Sequence, residues 1–429
     1  MEKDTRLNDI DLKYGHISLK IALPQVSRWQ KLQKPVPVFP SQDVLVKEGV
    51  ITLISRLELA GAKNASLLLI VPDHTRKCNL AFILTHLLEK LEQHFSPSIE
   101  ILIANGSHIL QPQSVIQELV GADIYARYRV HQHDAKAVDQ LESFGQSSNG
   151  TEILLNKKVK QADVVITVGG ILYHYFAGFG GGAKMLLPGV AGYETIRQNH
   201  CRTIDPLTGR FHVSCQEGHI ENNPVFSDLQ EVLRIVPHAL SLQVVLSPHD
   251  QIVACQAGPI QDVHRSLLPV VEMLYSLPIE EQADIVIADA GGFPADVNLI
   301  QAHKAIHHAC QAVKPEGCLF IAAECCEGIG SATFLPAFQH GDAENMGKEL
   351  VQNYQINSHT ALSLREKAEK IKIFFLSQLD PAIVRMTGLI PLSSPEETRV
   401  MLGRVAEKHH FGYILPQANL YLPKLFRDN

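Results

Sequence analysis

The chain has a single tryptophan, Trp29, among 429 residues, and its eight cysteines form no CxxC pair and no regular framework. That excludes a disulfide scaffold. The vicinal Cys325–Cys326 reads as packed thiols, and a reducing cytoplasm is the simplest expected setting. No apolar run approaches the roughly 18 residues that span a bilayer. The opening MEKDTRLNDIDLK lacks the apolar stretch of a signal peptide. Basic residues are not in excess: the net charge is −7, and no basic cluster is interleaved with aromatics. Nucleic-acid binding is therefore set aside. No repeat recurs at a fixed period.

What is present is a series of short, continuous apolar runs: SLLLIVPD (66–73), IEILIANGSH (99–108), ADVVITVGG (162–170), LSLQVVLSP (240–248), ADIVIADAGG (283–292) and GCLFIAAE (317–324). Continuous rather than alternating runs indicate strands buried on both faces, as in parallel sheets. Helical patterns lie between them, such as NLAFILTHLLEKLEQHF and PAFQHGDAENMGKELVQNY. The expected class is α/β: two domains with mostly parallel sheets flanked by helices, the active site in the cleft between them. EMLYSLPIEEQA near 272–283 sets the boundary, giving an N-terminal domain over 1–276 and a C-terminal domain over 277–412. Residues 413–429 are expected to return to the first domain. The proline-rich QKPVPVFPS (33–41) reads as a connector within it.

Ligands of open α/β sheets bind beyond the carboxyl ends of the strands. Polar residues gather there: Asp73 and Arg76 in PDHTR, His108 in NGSH, His174 and Lys184 after the third strand, and Asp296, Gln301 and Lys304 in GGFPADVNLIQAHK. Each has a plainer reading. Asp73 caps or turns, Arg76 decorates the surface, His108 closes a turn, His174 is a core imidazole, and Lys304 lines a helix face. Four such strand ends together favour a site. The histidines of HQHD (131–134) lack a third ligand at zinc spacing.

The stretch HYFAGFGGGAKMLLPG (174–189) invites comparison with phosphate loops. A P-loop requires G-x-x-x-x-G-K-[ST], but Ala183 precedes Lys184 and Met185 follows it, so the magnesium-binding hydroxyl is missing. GFGGGA fits the looser dinucleotide fingerprint but starts too far from the strand, and no acid follows at the required distance. Glycines permit close backbone approach and positive φ. A lysine held among them could serve as a covalent tether.

These segments together resemble the nickel-pincer lactate racemase family. HYFAGFGGGAKMLLPG followed by ETIRQNH is similar to its central signature, and PDHTR, ANGSH, GGFPADVNLIQAHK and LKYGHISLKIALP are similar to its other motifs in the same order. The likeness runs from about residue 13 to 330. It implies a racemase or epimerase of 2-hydroxy acids. It also implies a nickel-pincer nucleotide, a pyridinium mononucleotide whose two sulfur arms hold nickel, matured by separate cofactor-synthesis enzymes. By motif, Lys184 is the covalent tether and His200 the nickel ligand. His108 and His174 are the catalytic bases. Asp73, Gly181, Gly182 and Gln301 line the cofactor, and Arg76 and Lys304 take the substrate carboxylate. Two departures stand near the loop: Tyr173 in place of a frequent proline and Gly180 in place of a frequent serine. The family's well-known members place a tryptophan of the second domain beside lactate. Trp29 lies in the N-terminal region instead, so the resemblance carries the 2-hydroxy acid class rather than lactate itself. A cofactor-free binder of small carboxylates, a nicotinamide dehydrogenase and a zinc hydrolase are the competing readings. The sequence leaves oligomeric state open.

Overall fold

A computed structural model describes residues 9–25 and 28–426. The chain divides into two compact units that interleave along the sequence. One comprises residues 36–203 and 213–274, and the other residues up to Pro35 with 204–212 and 275–429.

The unit containing residues 36–203 is built on a six-stranded sheet. From one edge its strands run Ile252–Pro259, Ala239–Leu246, Val164–Gly170, Ser66–Pro72, Ser98–Ala104 and Arg129–Gln132. All pairings are parallel except the edge strand Ile252–Pro259. The central strand bears out the continuous apolar pattern: Leu67 through Val71 are almost wholly buried, because helices cover both faces. Helix Leu80–His94 supplies one cover, burying Leu80, Ile83, Leu84, Leu87, Leu88 and Leu91 in an i, i+3, i+4 stripe. Each such side chain contributes about 1.5–3 kcal/mol of transfer free energy. The chain proceeds outward from Ser66–Pro72 through the next two strands, then crosses to Val164–Gly170 on the other side. That reversal makes a topological switch point beside the central strand.

The second unit repeats the plan with six parallel strands: Ile390–Leu392, Lys372–Leu376, Val313–Ala322, Ala283–Asp289, Phe411–Leu415 and Arg28–Lys31. Its switch point lies between Ala283–Asp289 and Phe411–Leu415.

The domain boundaries read from the sequence need correction. Arg28–Lys31 pairs with Phe411–Leu415, and the hairpin Asp9–Tyr14/Ile17–Ala22 buries Ile10, Leu12 and Ile21 in one core with Ile285, Phe320 and Phe374. The N-terminal segment therefore belongs with the second sheet, not with a 1–276 domain. Residues 413–429 do not return to the first unit either: Leu422–Leu425 pairs with Ser276–Ile279 inside the second. QKPVPVFPS joins the two units, its Ser41 capping helix Gln42–Leu59. A short edge strand such as RWQK has no local signal of its partner, since its pairing is made across the whole chain. Trp29, placed by this strand in the second unit, is core rather than a substrate wall: it is 8% exposed, and its ring fills the space beside Gly412. No helix among the described residues is long and apolar enough to cross a membrane.

Candidate functional site

The register of the first sheet brings three strand ends to one edge. Pro72 lies beside Ala104 and Ile70 beside Thr167, so PDHTR, NGSH and the glycine-rich loop all leave from the switch point. Asp73 is 2% exposed. One carboxylate oxygen accepts from the Thr75 amide (3.0 Å) and hydroxyl (2.6 Å); the other accepts from His108 Nδ1 at 2.5 Å. Burial alone would raise its pKa, but the hydrogen bond and charge of His108, aided by Arg76 and Thr75, outweigh burial and hold it at about 2. An ionised Asp73 orients the half-exposed His108 ring through its Nδ1. The turn beneath His108 is tied to the lysine loop, since Gly106 N–H donates to Gly189 O at 2.9 Å.

The loop itself folds as a two-residue ladder, Tyr173–His174 against Gly178–Phe179, then a 3₁₀ turn over Gly182–Met185. Three expected site residues meet around Phe176, which is 3% exposed. Its ring centroid lies 4.4 Å from that of His174 and 5.0 Å from that of His200, and 5.1 Å from Lys184 Nζ. Asn223 pins this residue by donating to Phe176 O at 2.8 Å while capping helix Pro224–Ile235. Burial, with a smaller contribution from the Arg76 charge, lowers the Lys184 amine to about 7. His200 is buried in helix Tyr193–Cys201. The neighbouring Asn199 and Arg202 both donate to Asp228, which is fully buried and also accepts from Ser147, Asn149 and Thr151.

Gly181 and Gly182 both have positive φ, as the loop requires. A Cβ on Gly181 would meet Gln243 Oε1 and Gly170 O at 2.8 Å, and one on Gly182 would meet His264 Cδ2 at 2.8 Å. The space on their Cβ side is taken by protein. Gln243 accepts from Gly182 N–H at 3.3 Å, and His264 Nε2 pairs with Gly180 O at 3.2 Å. Burial pushes His264 down to about 4 despite that bond, so it holds the loop as a neutral donor.

Gln301 and Lys304 are carried by the other unit, on helix Leu299–Cys310, whose Asn298 cap accepts from the Gln301 amide. Lys304 Nζ donates to Gln301 Oε1 at 2.6 Å. The chain pattern did not single out Phe176, Asn223, Gln243 or His264, because each acts through a partner distant in sequence. The only local signal was the aromatic run HYF. His131 and His133 do not form a zinc site: His133 pairs with Ala191 O, and His131 pairs with Glu100. No cluster of three metal-binding side chains occurs among the described residues.

Comparison with known proteins places these features in a wider set. Residues 14–209 match the lactate racemase N-terminal domain and residues 279–363 the lactate racemase C-terminal domain. A lactate racemase of Thermoanaerobacterium thermosaccharolyticum is 29% identical over 340 residues, 77% of this chain and 78% of that one. One from Lactiplantibacillus plantarum is 31% identical over 280 residues, covering 65% of this chain and 64% of its own length. The solved apoprotein structure of the former shares the fold, with a TM-score of 0.86 at 24% identity over 97% of this chain and all of that one. A Thermotoga maritima protein also shares it, with a TM-score of 0.69 at 15% identity over 91% of this chain and 100% of that one.

Proposed function

Since the chain belongs to the lactate racemase family, and is thereby an isomerase of the racemase type, we propose that it interconverts the enantiomers of a 2-hydroxy acid using a nickel-pincer nucleotide held on Lys184. The observation that carries this reading is the meeting of Lys184, His174 and His200 around one buried ring. The residues fit such a group. Burial brings the Lys184 amine down to about 7, which favours the uncharged form that acylation of a lysine requires. A buried imidazole such as His200 is a suitable nickel donor. When bound, the cofactor supplies a hydride acceptor that stays on the protein between the two half-reactions.

The chain's own residues supply the proton chemistry. The Cα–H of a 2-hydroxy acid is too weakly acidic for a side chain to remove, whereas its hydroxyl proton is within reach of an imidazole once Cα loses hydride. His108 takes that proton at Nε2, and the Asp73 carboxylate stabilises the imidazolium that forms. His174 is the second proton carrier, so each enantiomer has its own base. Arg76 offers a bidentate fork for the substrate carboxylate. In this reading Lys304 adds a point charge and Gln301 lines the cofactor. The host's cofactor-synthesis enzymes load the protein, and the substrate is lactate or a related 2-hydroxy acid.

Intact mass and metal analysis of protein made together with those synthesis enzymes tests the proposal. The expected result is an added mass on the peptide containing Lys184 and one nickel per chain. A mass equal to the bare polypeptide, with no nickel, sinks it.

A further inference from the structure

Gln301 and Lys304 stand in the first turns of helix Leu299–Cys310, and the approach to that helix is held at one carboxylate. Asp296, 1% exposed, lies two residues before the Asn298 cap. Its Oδ2 accepts from the backbone N–H of Gly15 at 2.7 Å and of Glu324 at 3.0 Å, residues 281 and 28 positions away. Its own carbonyl accepts from Cys325 N at 2.8 Å. The stitching then continues along the chain. Glu327 N–H donates to Val297 O, and Leu299 and Ile300 donate to Gly328 O and Ile329 O. On the opposite side, Phe293 N–H donates to Gly15 O at 2.8 Å, and the His16 ring stacks on Phe293 at 4.4 Å. Gly15 has φ +54°, and a Cβ there would collide with the Glu324 carboxylate. The N-terminal hairpin, the loop before the helix and the end of strand Val313–Ala322 thus converge on Asp296.

The other carboxylate oxygen, Oδ1, is buried with no hydrogen-bond partner among the described residues. Burying a carboxylate so incompletely paired costs stability, and an apolar side chain would fill the space more cheaply. What only an acceptor can supply is the simultaneous capture of two backbone amides from distant segments. Because Lys304 is bonded to Gln301, a shift at the helix start displaces both side chains together.

We propose that Asp296 is a positioning residue that, by joining Gly15 and Glu324, sets the place from which Gln301 and Lys304 meet the substrate and cofactor. It rests on the reading above, in which those two residues contact the bound molecules. The test measures kcat and KM for racemisation by cofactor-loaded enzyme alongside hydrogen exchange at the Gly15 and Glu324 amides. Asp296→Ala raises KM about tenfold or more, leaves kcat within about threefold, and speeds exchange at both amides. Asp296→Asn keeps an acceptor oxygen and returns KM to within about threefold of the wild type. Faster exchange in Asp296→Ala with an unchanged KM overturns the proposal. So does an Asn variant that restores exchange but not KM. Should the Ala variant not fold, Gly15→Ala disturbs the same junction with Asp296 intact. The KM rise is expected there too, and its absence is equally fatal. Lys304→Ala separates the two claims: an unchanged KM in that variant strikes the role given to Lys304, whereas an unchanged KM in Asp296→Ala strikes the clamp.

Discussion

The two six-stranded sheets share a plan, with strands laid outward from a centre and then reversed, but they use histidine in opposite ways. Beside the first sheet, His108 is half-exposed and bonded to an ionised Asp73, and His174 borders Phe176 in a loop at the strand ends. Beside the second, His303, His307 and His308 are buried along helix Leu299–Cys310, with His359 nearby on helix Ser358–Lys370. The charges acting on His303 there, Lys367 and its histidine neighbours, are all of one sign. A carboxylate partner favours the charged imidazole; burial beside a cation favours the neutral one. Residue type alone does not separate the two cases. The neighbours do.

The largest effect expected in the first unit comes from Lys184→Arg. Arginine keeps the charge but cannot become a neutral nucleophile, so cofactor retention and racemisation should vanish together. Turnover at the wild-type rate in this variant would remove the tether from the scheme. Next, His108→Ala should lower kcat by about 10²–10⁴, the usual range for loss of a general base. Asp73→Asn should cost less, about 10–100-fold, because the imidazole remains but loses its orienting charge. A pH–rate profile would register this as a shift of the acidic limb, where a general base is lost to protonation. Identical profiles for Asp73→Asn and wild type would mean that Asp73 only shapes the turn.

For the second unit the contrast predicts acid sensitivity. Burial, reinforced by Lys367, holds His303 and His307 well below the ordinary histidine value of 6.5. Below pH 6.5 the unfolded chain binds protons that the folded chain does not, so stability present above that pH falls as pH drops. Each histidine contributes up to about 1.4 kcal/mol per pH unit. Denaturant midpoints measured from pH 7.5 to 5 should decline, and His307→Gln should flatten the decline. Asp73 acts lower down: its contribution is complete above pH 4 and is lost between about 4 and 2. The smallest expected change is Phe176→Leu, costing under about 1.5 kcal/mol of stability as a nearly volume-conserving core swap. Cofactor loading should fall more than stability if the ring spaces Lys184 from His200, and equal declines in both would count against that role.

The six apolar runs became strands because each is flanked by covering helices, so local hydrophobicity already carried the burial. The places of Asp73 and His108 were legible for a related reason: once strands are located, the residues just beyond them are located too, whereas Lys184 stood out only as a lysine among glycines. For the glycines only part was legible. Their number marks close approach, but what approaches Gly181 and Gly182 is Gln243 and His264, fixed by a strand and a helix some sixty to eighty positions onward. The same limit applied to Arg28–Lys31, whose four residues carry no information about the strand almost four hundred positions away that they join.

The sequence by itself determined the class of fold, the strand ends where chemistry collects and, through its joined motifs, the family. The first two follow from burial pattern and spacing, which are local quantities; the family follows from the likeness of those motifs to known ones. Only the tertiary structure decided which unit owns the first 35 residues, which histidines have a carboxylate and which are held neutral, and that Lys184 sits where burial brings its amine down to about 7. Those outcomes depend on desolvation and on charges supplied by distant segments, and neither exists until the chain has folded.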